Sequence, residues 1–340
     1  MEYQKTFPDM FSGKKIMYVH GFASSAQSGT VGRLRSWFPN ATILAYDAPV
    51  EPHDAIAMLK EKCASENPDL IIGTSMGGMF AEQLRGFDRI LINPAFQMAD
   101  TMAEHGMMGK NEFLNARADG VKEFYVDKPL VKRYREVTED CFQDIEDSEL
   151  ERVFGLFGDK DPLVHTFDLF KSHYPNAIRF HGEHRMDDKV MLHYVVPVMR
   201  WIDDRQQCRD RKVVFFHIDA MRSEKEVRTE NGTKKEFVME PSCHKAYEYL
   251  LENYQVYIVA DAPSYAPAYY EEVQKWVDQE CSAPAFNHLI FSNNKSLLYG
   301  DYFIDVNPDK NFMGTALQYR SSEFKTWEEI ITYFERLGGQ

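Results

Sequence analysis

From residue 15 to residue 92, short apolar runs alternate with amphipathic segments. Residues 15–19 (Lys-Ile-Met-Tyr-Val), 41–46, 69–72 and 89–92 read as strands, and 31–38, 53–65 and 76–85 as helices. In 53–65 the apolar positions Ile56, Leu59 and Cys63 recur at helical spacing. Such alternation predicts βαβ units, that is, a mainly parallel sheet with helices on both faces. Residues 95–150 break the pattern. They hold no convincing strand and read as helices and loops, rich in methionine early (Met98, Met102, Met107, Met108). They predict a helical insertion or lid over the carboxyl edge of the sheet. Alternation resumes with strands at 153–157 and 177–181 and helices at 166–174 and 190–202.

Residues 203–212 are almost wholly polar and read as a domain boundary. Beyond them come a strand at 213–216, a helix at 245–253, a strand at 256–259 and a helix at 267–280. Strands at 289–291 and 302–304 and a helix at 327–336 complete the chain. The division expected is therefore 1–206 followed by a second α/β domain, 213–340. A length of 340 residues suits two domains.

Composition narrows the class. Apolar residues make up 44% and charged residues 27%, the balance of a globular chain and not of a disordered one. The net charge of −14 gives no general attraction to nucleic acid or anionic membrane. No apolar run approaches the ~20 residues of a membrane span. The polar N-terminus lacks the apolar stretch of a signal peptide. Five scattered cysteines suggest free thiols in a reducing compartment. These features predict a cytoplasmic protein with a small-molecule substrate and neither nucleic acid nor membrane as partner. A homo-oligomer is compatible with these features.

Gly73-Thr-Ser75-Met-Gly77 follows the strand at 69–72 and opens the helix at 76–85. A nucleophile elbow requires that context: glycines let the chain turn tightly, and the serine hydroxyl is left exposed at the tip. Gly158-Asp-Lys-Asp161 follows the next predicted strand but one, and Gly182-Glu-His184 the one after. The order Ser75, Asp161, His184 suits a nucleophile, an orienting carboxylate and a base near neutral pKa. Asp159 competes for the carboxylate role; Asp161, three residues past the glycine, is preferred. His181 falls at the strand end before the turn, which favours His184. The N–H groups of Phe22, just past the first strand, and of Met76, after the serine, are candidates for an oxyanion hole. His20 reads as a histidine that orients its loop.

These motifs carry a resemblance. Tyr-Val-His-Gly-Phe-Ala-Ser-Ser, Gly-Thr-Ser-Met-Gly-Gly, Leu-Ile-Asn93-Pro94-Ala and Gly-Asp-Lys-Asp resemble the small α/β-hydrolase esterases that include YqiA and YcfP, over about residues 14–203. The resemblance implies an α/β-hydrolase fold and hydrolysis of carboxylic esters or thioesters. The segment Gly-Glu-His184-Arg-Met departs from the family, which usually has small residues or Asn before the histidine.

The second half carries another. Tyr302-Phe-Ile-Asp305-Val-Asn-Pro-Asp-Lys-Asn, Phe291-Ser-Asn-Asn-Lys295 and Ser322-Glu-Phe-Lys-Thr-Trp-Glu-Glu resemble the 5′(3′)-deoxyribonucleotidase branch of the haloacid-dehalogenase superfamily, over about residues 213–337. The resemblance implies a Rossmann-like domain, an Asp-x-Asp pair supplying nucleophile and general acid, a Ser/Thr, a Lys and a late acidic pair around Mg²⁺ and phosphate. Here the nucleophile position is His217, the Thr position is assigned to Ala260, and the acidic pair reads Asp305-Val306. Asp219, Lys295 and Asp305 remain. A catalytically degenerate domain, without metal or cofactor and with at most weak anion binding, is expected. Two other readings stay on the table: a phosphatase rebuilt around His217, and a non-enzymatic binding protein.

Overall fold

A computed structural model describes residues 6–229, 232–281 and 288–338; the first five residues of the polar N-terminus lie outside it. The chain forms two compact units, Met1–Asp203 and Asp204–Gln340. The fold is α/β, with one parallel sheet in each unit.

In the first unit the sheet contains β1 (Lys15–Val19), β2 (Thr42–Ala45), β3 (Leu70–Thr74), β4 (Arg89–Ile92), β7 (Val153–Gly158) and β8 (Asn176–Phe180). Their spatial order is β2-β1-β3-β4-β7-β8, all parallel. The order reverses between β1 and β3, because the chain first grows to one side and then to the other. Every residue of β4 is buried, and so are the first four of β3, whereas Thr42 at the β2 edge is exposed. Continuous apolar runs are what a strand covered on both faces requires. Helices Pro52–Glu66 and Met76–Glu82 contribute Ile56, Leu59, Cys63, Met79 and Phe80 to the core.

The insertion is not purely helical. Beside helices Met98–Glu104 and Lys128–Glu139 it contains an antiparallel hairpin, β5 (Gly109–Glu112) with β6 (Glu123–Val126). Each strand has only four residues, and Gly-Lys-Asn-Glu offers no apolar side chain to betray a strand. What anchors the hairpin is aromatic packing. Phe124 lies 4.6 Å from Phe113 and 5.3 Å from Phe22, ring centre to ring centre.

The second unit has β9 (Val213–His217), β12 (Gln255–Ala260), β13 (Leu289–Phe291), β14 (Tyr302–Asp305) and β15 (Thr315–Gln318) in the parallel order β13-β12-β9-β14-β15. The reversal here falls between β9 and β14. Between β9 and β12 stands a second hairpin, β10 (Arg222–Thr229) with β11 (Gly232–Met239), not expected from the sequence because its strands are rich in charged residues and show no apolar alternation. The helix expected at 245–253 begins earlier, at Pro241. The helix Trp327–Arg336 opens with a reciprocal cap: the Glu329 N–H donates to the Thr326 hydroxyl, and the Thr326 N–H donates to the Glu329 carboxylate. One motif behind the second resemblance thus has a structural job.

All five cysteines are free thiols, and all but Cys208 are buried. No helix among the described residues is long and apolar enough to cross a membrane.

Candidate active site

Ser75 sits between β3 and the helix Met76–Glu82 with φ 54° and ψ −120°, a backbone conformation costly for any side-chain-bearing residue. The surroundings enforce it. The Ser75 N–H donates to the Ile92 carbonyl, and the Ser75 carbonyl accepts from the N–H groups of Gly78 and Ala95. A Cβ on Gly77 would lie 2.2 Å from the Val19 carbonyl oxygen, so only glycine lets the elbow close against the end of β1. The serine is left half-buried at the carboxyl edge of the sheet.

His184 reaches this serine from the loop after β8. Its Nε2 is 3.1 Å from the Ser75 hydroxyl, and its Nδ1 is 2.7 Å from Asp161 Oδ2. Asp161 is buried in the loop after β7, and its Oδ1 accepts from the N–H groups of Leu163 and Val164. Its carboxylate is therefore held in one rotamer with its oxygens occupied. Asp159 goes elsewhere: it pairs with His181 at 2.9 Å on the surface and accepts from the Gly182 N–H. The two acids left competing by the sequence are separated by geometry, and so are the two histidines.

Phe22 and Met76 flank the serine. The loop after β1 comes close enough that a Cβ on Gly21 would lie 3.3 Å from Ser75 Cβ. Neither the Phe22 nor the Met76 N–H has a hydrogen-bond partner among the described residues. His20 is buried beside them, donating to the Gly21 carbonyl and accepting from the Ala48 N–H. Burial holds its imidazole below the usual range. With both nitrogens engaged, it fixes the loop. The insertion braces the same loop: the Leu114 N–H donates to the Ala23 carbonyl and the Ser25 hydroxyl to the Ala116 carbonyl.

Asn93 had no role assigned from sequence, although its Asn-Pro motif stood out. It is buried at the end of β4 with φ 44°. Its side-chain oxygen accepts from the Gly158 N–H at 2.8 Å, and its amide donates to the carbonyls of Glu183 and His184. One side chain thus ties the loop that carries the acid to the loop that carries the base.

In the second unit, His217 ends β9 and is almost completely buried. Its Nδ1 lies 3.5 Å from Asp305 and 3.8 Å from Asp219, and its Nε2 lies 3.5 Å from Asp261. The assignment of Ala260 to the position facing the nucleophile is corrected. Ala260 is packed in the hydrophobic core with Val256 and Ile258. Side chains alternate along a strand, so Asp261 is the residue that faces His217. Lys295 bridges Asp305 at 3.0 Å and Asp261 at 3.4 Å. Burial pushes the His217 imidazole below its usual range; Asp305 opposes this and Lys295 adds to it.

The Mg²⁺ implied by the second resemblance does not fit these residues. Mg²⁺ demands near-octahedral oxygen ligands. Here a nitrogen replaces the first carboxylate, Val306 replaces an acid, and Lys295 already pairs with Asp305.

Comparison with known proteins gives partial matches. The profile described as "Uncharacterised protein family (UPF0227)" matches residues 15–136. A "Putative 5'(3')-deoxyribonucleotidase" of Vibrio phage KVP40 is 32% identical over 91 residues, which are 26% of this chain and 54% of that protein. A protein of the same description from Staphylococcus aureus strain Mu50 is 26% identical over 120 residues, 32% of this chain and 66% of that one. The chain thus spans about half the length of the phage relative and just under two thirds of the staphylococcal one. Among solved structures, a monoacylglycerol lipase of Paleococcus ferrophilus shares 14% identity with a TM-score of 0.40, covering 59% of this chain and 96% of that one. A thioesterase domain from the curacin biosynthetic pathway shares 14% with a TM-score of 0.34, covering 58% and 92%.

Proposed function

We propose that the first unit is a serine hydrolase cleaving carboxylic esters or thioesters through an acyl-enzyme on Ser75. The observation that carries this reading is the continuous hydrogen-bonded chain from Ser75 through His184 to Asp161. In the reaction, the Ser75 hydroxyl oxygen attacks the ester carbonyl while His184 Nε2 takes its proton. Asp161 accepts from Nδ1–H and stabilises the imidazolium. The N–H groups of Phe22 and Met76 donate to the oxygen that becomes negative. Collapse breaks the ester bond, and His184 returns the proton to the departing alcohol or thiol. Water, activated by the same histidine, then releases the acid.

Phosphoryl transfer in the second unit is not part of this proposal, because an aspartyl phosphate needs a carboxylate where His217 stands. The test is a panel of p-nitrophenyl and CoA esters of graded chain length. The wild-type chain should turn over part of the panel, and Ser75→Ala should lose at least ~10³-fold in kcat. Equal kcat in the two proteins would end the proposal.

A further inference from the structure

At the site around His217, the position where a phosphatase would cradle its phosphate carries Asp261, whose carboxylate repels an anion. Around His217 stand three carboxylates, Asp219, Asp261 and Asp305, against two cations, Lys295 and Arg222. His217 Nε2 is buried and, among the described residues, has no hydrogen-bond partner. A buried polar nitrogen left unpaired is costly, so a structure that keeps one aimed at a carboxylate invites a ligand between them. One donor atom each from His217, Asp219 and Asp261 all lie within 4.8 Å of one another. The cluster stands at the carboxyl ends of β9 and β14, where the strand order reverses, the usual ligand position in open parallel sheets.

We infer that His217, Asp219 and Asp261 bind a divalent first-row transition metal of the zinc or cobalt kind, in preference to Mg²⁺ and to a phosphate ester. The donor set decides the class. Imidazole nitrogen with carboxylate oxygen suits Zn²⁺, Co²⁺ and Ni²⁺, whereas Mg²⁺ takes oxygens alone. With the metal on Nε2, the ring carries its proton on Nδ1. There the buried Asp305 Oδ1, 3.5 Å away, accepts it, while Asp305 Oδ2 stays with Lys295. A carboxylate behind the imidazole is the arrangement that orients a metal-binding histidine. The binding gives up a long contact, 3.3 Å, from the Asp219 N–H to Nδ1. Bond lengths of about 2.0–2.2 Å require the carboxylates to draw in. Asp219 and Asp261 have half-exposed side chains and can do so: Asp219, now 3.8 Å from Nδ1, swings toward Nε2, Arg222 engages only its Oδ1, and Lys295 lies 3.4 Å from Oδ1 of Asp261, which leaves Oδ2 of each to the metal.

The experiment uses the full chain without a polyhistidine tag, stripped with chelator. It is titrated with Co²⁺, followed by its visible absorption, and with Zn²⁺ by calorimetry, both in millimolar Mg²⁺. One equivalent should bind, and Asp261→Asn and His217→Ala should each weaken it at least about tenfold. Because His217 is a core residue, Asp261→Asn, with its half-exposed side chain, is the deciding variant. The inference is overturned by absence of stoichiometric Co²⁺ binding, by unchanged affinity in Asp261→Asn, by displacement of Co²⁺ by equimolar Mg²⁺, or by binding of inorganic phosphate to the metal-free chain.

Discussion

The two units use the same architectural device and fill it differently. Each is an open parallel sheet with its polar cluster at the carboxyl ends of the strands: after β3, β7 and β8 in the first, and at β9, β12 and β14, where the strand order reverses, in the second. In the first unit, both nitrogens of His184 meet a partner, and the ring stays partly exposed. In the second, His217 is buried beneath half-exposed carboxylates, and among the described residues one of its nitrogens lacks a hydrogen bond. A base that must take a proton from a serine needs access and a fixed tautomer, and His184 has both. A histidine in that place cannot form the aspartyl phosphate that an aspartate would. The scaffold provides a place for chemistry; three or four residues at the strand ends decide which chemistry is possible.

The largest effect is expected at the two acids after β7. Asp161→Asn should cut ester hydrolysis by about 10³- to 10⁴-fold, because an amide holds the wrong imidazole tautomer. Asp159→Asn should stay within a few-fold of wild type, since its partner is the surface His181. Steady-state kinetics on both variants checks this, and the reverse ranking would mean that the loop after β7 carries its acid elsewhere.

Next comes an acid liability in the second unit. Burial pushes His288 down to about 4 from 6.5. Its folded pKa is depressed, so the unfolded chain binds more protons between these values. The contribution to stability is complete above pH 6.5 and is lost as pH falls toward 4, amounting to on the order of 3 kcal/mol. Urea unfolding midpoints at pH 7 and pH 4.5 should show the drop in wild type and a shallower one in His288→Gln. Equal drops would remove His288 as the cause.

A smaller effect concerns Asn93. Asn93→Ala should lower kcat by about ten- to a hundredfold with little change in KM, because the acid and base loops lose their common tie and the triad geometry loosens. A variant that melts earlier but keeps its kcat when folded would assign Asn93 to stability alone.

Much of this was legible in the sequence, and the failures are physical. Apolar runs bounded by Gly and polar turns marked the central strands, because buried parallel strands cannot hide their composition. The elbow was legible because Gly77 must sit against the Val19 carbonyl, which leaves a fixed pattern around Ser75. The β5–β6 and β10–β11 hairpins escaped because their strands are short or charged, and a solvated ribbon needs no apolar alternation. Asp261 escaped through a slip of one residue at a strand end, which exchanges the two faces of the sheet. The signal was present. Val256, Ile258 and Ala260 pack on one face with Val214 and Phe216, so residues 217, 261 and 305 share the other. The role of Asn93 had no local signal, since its partners lie 65 and more residues away in the chain.

Among the described residues, Ser75 is the hydroxyl that we propose its neighbours make nucleophilic. Incubation with a fluorophosphonate, followed by intact-mass measurement and peptide mapping, tests it without any knowledge of the natural substrate. A single adduct is expected, located in the peptide containing Ser75 and absent from both Ser75→Ala and His184→Ala. An unlabelled wild-type chain, or an adduct that persists in Ser75→Ala, would contradict it.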